Sequence, residues 1–398
     1  MAHKKLLSVE NLTLIAIGAG IAFGYFFPAL STELKVVGQI YLKLLKMLII
    51  PLVFASIFIA IASLSGKEEL KSIGLKAFLY YLSTTALAVL LGIMIFHLIN
   101  PGAGEHLLQI PQNVTIEKKE LSLSDFLLSF IPANIFEALS KGAILPIIFF
   151  TILFAIATLF IESHKRTVLY NFFDSVNDAM MVLAKWVIAL TPIGVFFLIA
   201  ATVAKNGLEP IFELYSYVLT VLLALMLHAL ITLPSIGYFV GRFNSYHYFL
   251  QIKEAPLIAF STASSSATLP VSLEVAEEKG GVSKKVAGFV LPLGATINMD
   301  GTALYESIAV LFIANISGVE LSLVQQITIF VTVTFASIGA AGIPGAGLIM
   351  MTMVLDSVGL PVEAIALIIT VDRFLDMFRT AVNNWGDLLG AKLIQKLL

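Results

Sequence analysis

Cysteine is absent from the 398 residues. Disulfides, thiolate metal sites and cysteine nucleophiles are therefore excluded. Charge is scarce: Asp, Glu, Lys and Arg make up 13% of the chain, against about 25% in soluble domains. A basic excess is missing too. The 24 Lys and Arg stand against 26 Asp and Glu, a net charge of −2. With no surplus of cations to neutralise phosphates, nucleic acid is not expected as a partner. The six histidines are scattered along the chain, so no His/Cys grouping suggests a transition metal; His97 and His228 read as packed helix residues. A cleavable leader is not expected either. Met1 to Lys5 is basic, but Ser8, Glu10 and Asn11 precede the apolar run. That pattern reads as a cytoplasmic start to a first spanning helix.

What the chain has is apolar surface. Hydrophobic residues make up 59% of it, and mean hydropathy is +0.96. A soluble fold has no way to hide that much, so the class is an all-α polytopic membrane protein. A spanning helix needs about 20 apolar residues. Runs near 11–29, 38–65, 77–99, 143–162, 168–203 and 211–240 read as six helices. After residue 250 the apolar segments near 255–275, 284–315, 322–354 and 361–396 are interrupted by Ser, Gly, Pro, Asn and Asp. Broken backbone at membrane depth survives only where protein or a cavity surrounds it. Letting 255–275 and 322–354 re-enter on the side they left places 14 cationic residues inside and five outside. That bias fits eight spans, two re-entrant helical hairpins and cytoplasmic termini. A sequon at Asn113 lies in the longest polar loop.

The two hairpins repeat. Ser261 to Pro270 and Ser337 to Pro344 are both runs of small residues closing on proline. Asn298 follows Pro270 by 28 residues, and Asp372 follows Pro344 by 28. Paired broken segments in corresponding halves are the best sequence pointer to a transporter binding site.

The last helix carries the densest chemistry. Asp372, Asp376, Arg379, Asn383 and Asp387 lie at offsets 0, 4, 7, 11 and 15, a stripe roughly 80° wide at helical pitch. A charge at membrane depth costs about 2.5 kcal/mol or more, so such residues are rare and usually functional. One Arg cannot neutralise three carboxylates, and the surplus negative charge calls for mobile cations. Asn298-Met299-Asp300-Gly301 is poor helix sequence inside an apolar span. It predicts an unwound step whose carbonyls and carboxylates are hard oxygen ligands suited to Na+. Glu306, six residues after Asp300, is a candidate proton carrier, because desolvation favours the neutral acid.

Four strings carry a family resemblance: SSSATLPVS at 264–272, GATINMDGTALYE at 294–306, SIGAAGIPGAG at 337–347 and DRFLDMFRTAVNNWGD at 372–387. Together with Tyr80-Tyr81-Leu82-Ser83-Thr84-Thr85, they resemble the sodium/dicarboxylate symporter family, which includes excitatory amino-acid transporters and archaeal aspartate transporters. The resemblance implies inverted repeats, a homotrimer and an elevator-type transporter. Residues 1–76 and 125–208 would form a scaffold. Residues 77–124, the third helix plus an external loop, and 209–398 would form the transport part. The implied substrate contacts are Arg379 for a side-chain carboxylate, Asp376 for an ammonium, and Thr302, Thr380 and Asn383. They also include Ser264, Ser265 and Ser266 at the first hairpin tip and Ile343 and Gly347 in the second. The implied sodium sites are three. One is Asp387 with carbonyls of Gly294, Asn298 and Asn383. Another is Tyr81, Thr84, Thr85, Asn298 and Asp300. The last comprises carbonyls of Thr296, Met299, Ser337, Ile338 and Ala340.

Asp387 favours sodium, since proton-driven relatives tend to carry Asn there. Asp376 and Arg379 together favour aspartate or glutamate. Ala263 and Met377 stand where archaeal and animal relatives, respectively, carry Arg, which leaves Arg373 as a spare arginine and candidate gating charge. Asn384-Trp385 replaces a more apolar pair. The implied activity is sodium-coupled import of acidic amino acids, with H+ entering through Glu306. The alternative is a proton-coupled C4-dicarboxylate carrier. Intramembrane proteolysis is disfavoured. Ser264–Ser266 lacks the glycine flanks and basic partner of a serine nucleophile, and Asp387 lacks the first glycine expected of an aspartyl type.

Overall fold

The computed structural model describes residues 9–62, 68–102, 128, 131–208, 211, 214–339 and 345–398. Every regular element among them is helical. The sequon at Asn113 lies outside the described residues.

The first half gives α1 (Val9–Phe26), α2 (Pro28–Glu33), α3 (Lys35–Ala62), α4 (Glu68–Ile99), α5 (Ile135–Lys141) and α6 (Ile144–Thr158). The apolar run near 168–203 is not one helix. It divides into α7 (Ser163–Ala189) and α8 (Thr191–Asn206), bent by 52°. Pro192 explains the break: it has no N–H to continue the ladder, and its ring disfavours a helical residue before it. Helices α1, α2, α6, α7 and α8 pack around α3 or one another.

The second half is more broken. Helix α9 (Leu214–Leu227) leads through a π turn at His228–Thr232 into α10 (Leu233–Phe239). Helix α11 (Ser245–Ile252) precedes the first hairpin, α12 (Glu254–Thr262) and α13 (Ser265–Glu278). Its tip is sharp because Ala263 takes a left-handed conformation, φ +48°, and Ser264 then caps α13 by accepting from Ala267 N–H at 3.2 Å. Few non-glycine residues adopt that φ. The hairpin's open end is closed by Lys279 Nζ, 2.8 Å from each oxygen of Glu254. Helices α14 (Lys284–Ile297) and α15 (Asp300–Ile316) flank the expected unwound step. The step is shorter than expected: only Asn298 and Met299 leave helical geometry, while Asp300 and Gly301 begin α15. The second hairpin comprises α16 (Leu323–Ala336), a 3₁₀ turn at Ser337–Gly339, and α17 (Ala346–Ser357). Helix α18 (Ile365–Leu397) ends the chain and packs on α9, α12, α14 and α15. Helix α15 is buried almost along its whole length, with α4 on one side and α18 on another.

Among the described residues, four helical stretches are long and apolar enough to cross a membrane, or five if the bent α7–α8 pair is one span. Many large apolar side chains face outward, including Phe160, Phe239, Leu98 and Phe26. A continuous apolar exterior of this kind suits lipid and would be a liability in water.

Close packing within the first group depends on glycine. A Cβ on Gly24 of α1 would sit 2.5 Å from the Ala200 carbonyl of α8. Neither backbone can yield cheaply, and overpacking of this kind costs about 1–3 kcal/mol. Gly24→Val is expected to lower the thermal unfolding midpoint of the purified protein, whereas Gly18→Ala, which meets nothing within 4 Å, is expected to leave it unchanged.

Candidate functional site

The polar stripe of α18 meets the start of α15 in the buried interior. Asp372, Asp376, Thr380, Asn383 and Asp387 are all buried, and Arg379 is 0% exposed. Arg379 Nη2 donates to Asp372 Oδ1 at 2.9 Å and to Asp376 Oδ1 at 2.8 Å. Its guanidinium carbon lies 3.9 Å from the centre of the Tyr305 ring, a cation–π contact strengthened by burial. Tyr305 also donates its hydroxyl to Asp372 at 2.8 Å. Three neighbours thus fix the guanidinium plane. Among the described residues its Nε and Nη1 have no hydrogen-bond partner. A methyl at Gly347 would stand 3.1 Å from Nη1, so the N-terminal turn of α17 lies directly against that free edge. Asp376 Oδ2 accepts the Gly345 N–H at 3.3 Å, which ties the second hairpin to the same pair.

Asn383 is the hub below. Its Oδ1 accepts the Gly301 N–H at 2.7 Å, and its Nδ2 donates to Thr302 Oγ1 at 3.3 Å. Asn298, at the break, donates to Asp387 Oδ1 at 2.9 Å and to the Asn383 carbonyl at 3.4 Å. Thr84 reaches Asn298 Oδ1 at 3.5 Å and the Tyr81 carbonyl at 3.1 Å. Thr85 donates to Asp300 Oδ1 at 2.7 Å.

Two oxygen-rich clusters result. One holds Asp387, Asn298 and Gly294, where a Cβ would collide with the Asp387 carboxylate. The Tyr81 hydroxyl belongs here too, donating to the Val290 carbonyl at 2.9 Å. The other holds Asp300, Thr84 and Thr85. Among the described residues neither carboxylate has a Lys or Arg partner, and no cluster of His, Asp and Glu has the make-up of a transition-metal site. Hard oxygen donors and uncompensated carboxylates fit a monovalent or other hard cation.

The structure brings together Tyr81, Thr84, Thr85, Gly294, Asn298, Met299, Asp300, Thr302, Gly347, Asp376, Arg379, Thr380, Asn383 and Asp387 around the α15–α18 contact. Ser337 and Ile338 form the 3₁₀ turn at the end of α16, with Ile338, Tyr81, Thr85 and Ile297 lining one crevice. Thr296 is exposed, with its hydroxyl bonded back to the Leu293 carbonyl. At the first hairpin tip Ser264 and Ser265 are buried, but Ser266 is exposed. Ala340 and Ile343 lie outside the described residues. Glu306 is fully buried, and neither carboxyl oxygen has a hydrogen-bond partner. Arg373 and Lys185 line a cavity of about 250 Å³ between the two helix groups, beside Asp372 and Asp376.

Sequence reasoning placed Asp372 on the stripe without a site role and missed two further participants, Tyr305 and His228. Tyr305 and Asp372 orient Arg379. His228, read as a packed helix residue, is indeed buried, but its Nε2 lies 3.3 Å from Asp300 Oδ2. His97 is exposed and meets Gln326 at 2.9 Å.

Comparison with known proteins gives the family. The profile of the sodium:dicarboxylate symporter family matches residues 11–397. Excitatory amino acid transporter 3 of Mus musculus is 38% identical over 90% of this chain and 78% of its own length. The proton/sodium-glutamate symport protein of Geobacillus stearothermophilus is 33% identical over 95% of this chain and 91% of its own. That of Bacillus subtilis is 35% identical, covering 94% and 88%.

Proposed function

The chain belongs to the sodium:dicarboxylate symporter family, and from that premise we propose that it imports aspartate or glutamate across a cell membrane, driven by sodium. The observation that carries this reading is the pair of buried carboxylates, Asp300 and Asp387, held by neutral donors beside the helix that carries a buried Arg–Asp pair.

Arg379 receives the substrate's side-chain carboxylate. Among the described residues its Nη1 has no protein partner, and together with the Nη2 hydrogen that Asp376 gives up it offers the two parallel donors that a carboxylate accepts best. Asp376, freed from one of its present contacts, takes the ammonium group. This second charge favours an amino acid over a plain dicarboxylate, which would meet Asp376 as a like charge. Thr302, Asn383, Thr380 and Gly347 line the remaining sides, with Ile343 and the Ser264–Ser266 tip closing the pocket. Sodium ions occupy the Asp387 and Asp300 pockets, and a third lies between the carbonyls of Thr296, Met299, Ser337, Ile338 and Ala340. Ion binding offsets the carboxylates and stiffens the Asn298–Met299 step, which in turn holds Gly301 and Asn383 in place for substrate. The second hairpin then closes.

The helix packing supports a division of labour. The group around α3 serves as scaffold, and α4 with α9–α18 moves as an elevator. The assembly is a homotrimer of eight spans and two re-entrant hairpins per subunit, with both termini cytoplasmic. Each net positive charge carried inward gains about 2.3 kcal/mol per 100 mV.

Three tests follow. Radiolabelled aspartate uptake into proteoliposomes is expected to require an inward sodium gradient, and Asp387→Asn is expected to raise half-saturating sodium about tenfold or more. Uptake unaffected by replacing sodium with choline would remove the coupling. Arg379→Lys keeps the charge but loses the planar fork, a loss of about 1.5–3 kcal/mol for a charge-assisted hydrogen bond; aspartate affinity, measured by calorimetry, is expected to fall tenfold or more. Glu306→Gln, if Glu306 carries a proton, is expected to flatten the pH dependence of uptake, and an unchanged profile would clear it of that role.

A further inference from the structure

The π turn between α9 and α10 runs directly into Pro234. The Leu233 N–H donates to the His228 carbonyl, five residues back. The next donor in that ladder would be residue 234, which is proline and has no N–H. The Ala229 carbonyl is therefore left without a helical donor. Trp385 of α18 supplies one, its Nε1–H lying 3.1 Å from the Ala229 oxygen. The Leu230 carbonyl accepts the Tyr246 hydroxyl at 2.5 Å. The indole is itself fixed: Trp385 is buried and packs edge-on against Phe249, with ring centres 5.1 Å apart. Its neighbour Asn384 donates to Ser272 Oγ of the first hairpin at 2.7 Å. The Asn384-Trp385 pair, which had no reading in the sequence, thus binds α18 to both the π turn and the hairpin.

The widened turn places His228, 0% exposed, with Nε2 3.3 Å from Asp300 Oδ2. Thr85 holds the other oxygen of the same carboxylate. His228 Nδ1 has no partner. The tautomer with hydrogen on Nε2 satisfies this site best, because it gives Asp300 a neutral donor and leaves only a lone pair unmet at Nδ1. Groups that orient a ligand's second oxygen commonly tune metal affinity tenfold or more.

We infer that His228 is a positioning residue for the sodium site at Asp300, and that Trp385 sets it in place through the π turn. The inference rests on the sodium-coupled reading above and extends it to two residues outside the ion's own ligands. His228 acts as a hydrogen-bond donor through Nε2–H that fixes the rotamer of the Asp300 carboxylate.

The test is equilibrium binding of radioactive sodium to the full chain in lipid nanodiscs, without amino acid, read by scintillation proximity. His228→Leu is expected to raise half-saturating sodium about tenfold. His228→Gln, whose amide returns a donor near the same place, is expected to stay within about threefold of the unaltered protein. Trp385→Phe keeps the aromatic packing and removes only the N–H, and is expected to shift half-saturation about threefold. Should His228→Leu fail to fold, the Trp385→Phe shift and the His228→Gln rescue decide the matter. Unchanged half-saturation in His228→Leu or Trp385→Phe overturns the inference, as does an equal loss in His228→Gln and His228→Leu. Sodium binding absent from the unaltered protein overturns the sodium-coupled reading together with this inference.

Discussion

Two buried carboxylates without cationic side-chain partners organise this molecule. Asp300 and Asp387 are 0% and 2% exposed, and the groups that reach them are hydroxyls, amides and one imidazole. Removing an anion from water costs several kcal/mol even after relaxation (about that order per ion), and an apolar surrounding returns none of it. As anions, such groups persist only where something positive arrives. The contrast with the upper part of the stripe is instructive. There Asp372 and Asp376 share Arg379, so the cluster carries a single surplus negative charge, and the guanidinium keeps an unpartnered edge toward the second hairpin.

The fold serves this arrangement by breaking helices where polar backbone is needed. The interruption at Asn298–Met299 lets an amide side chain reach Asp387 while Asp300 opens a fresh helix beside Thr85. The hairpin turn at Ala263–Ser264 and the π turn at His228–Thr232 occur within the same group of helices. Each departure is met by a side chain that supplies a missing partner, Ser264 Oγ and Asn383 Oδ1 as acceptors and Trp385 Nε1–H as a donor, as buried backbone requires. Helix α18 joins them all, because Asn383, Asn384, Trp385 and Asp387 each bond to a different partner element.

Much of this was legible in the sequence, for a physical reason. Carboxylates and asparagines in apolar runs are too costly to be incidental, so Asp300, Asp376, Arg379, Asn383 and Asp387 declared themselves, as did the break at Asn298. Ala263, Ser264 and the small residues near them marked a hairpin for the same reason. What stayed hidden depended on tertiary neighbours. Nothing in the sequence around His228 distinguishes a packed imidazole from one facing a carboxylate 72 positions away. Trp385 looked like an odd substitution until Pro234, through the π turn, left the Ala229 carbonyl in need of a donor. The bend at Leu190 did have a signal in Thr191-Pro192, masked by the length of the apolar run on either side. Ser266, grouped with its two neighbours by adjacency, faces outward because a helical step of 100° carries it off the buried side.

If these carboxylates need inorganic cations before the site can hold its cargo, amino-acid binding and sodium binding are one thermodynamic event. Isothermal calorimetry of purified protein with aspartate measures this linkage directly. In sodium chloride a saturable heat is expected, with affinity rising steeply with sodium concentration; in choline chloride at equal ionic strength none is expected. Equal affinity in the two salts would contradict the account.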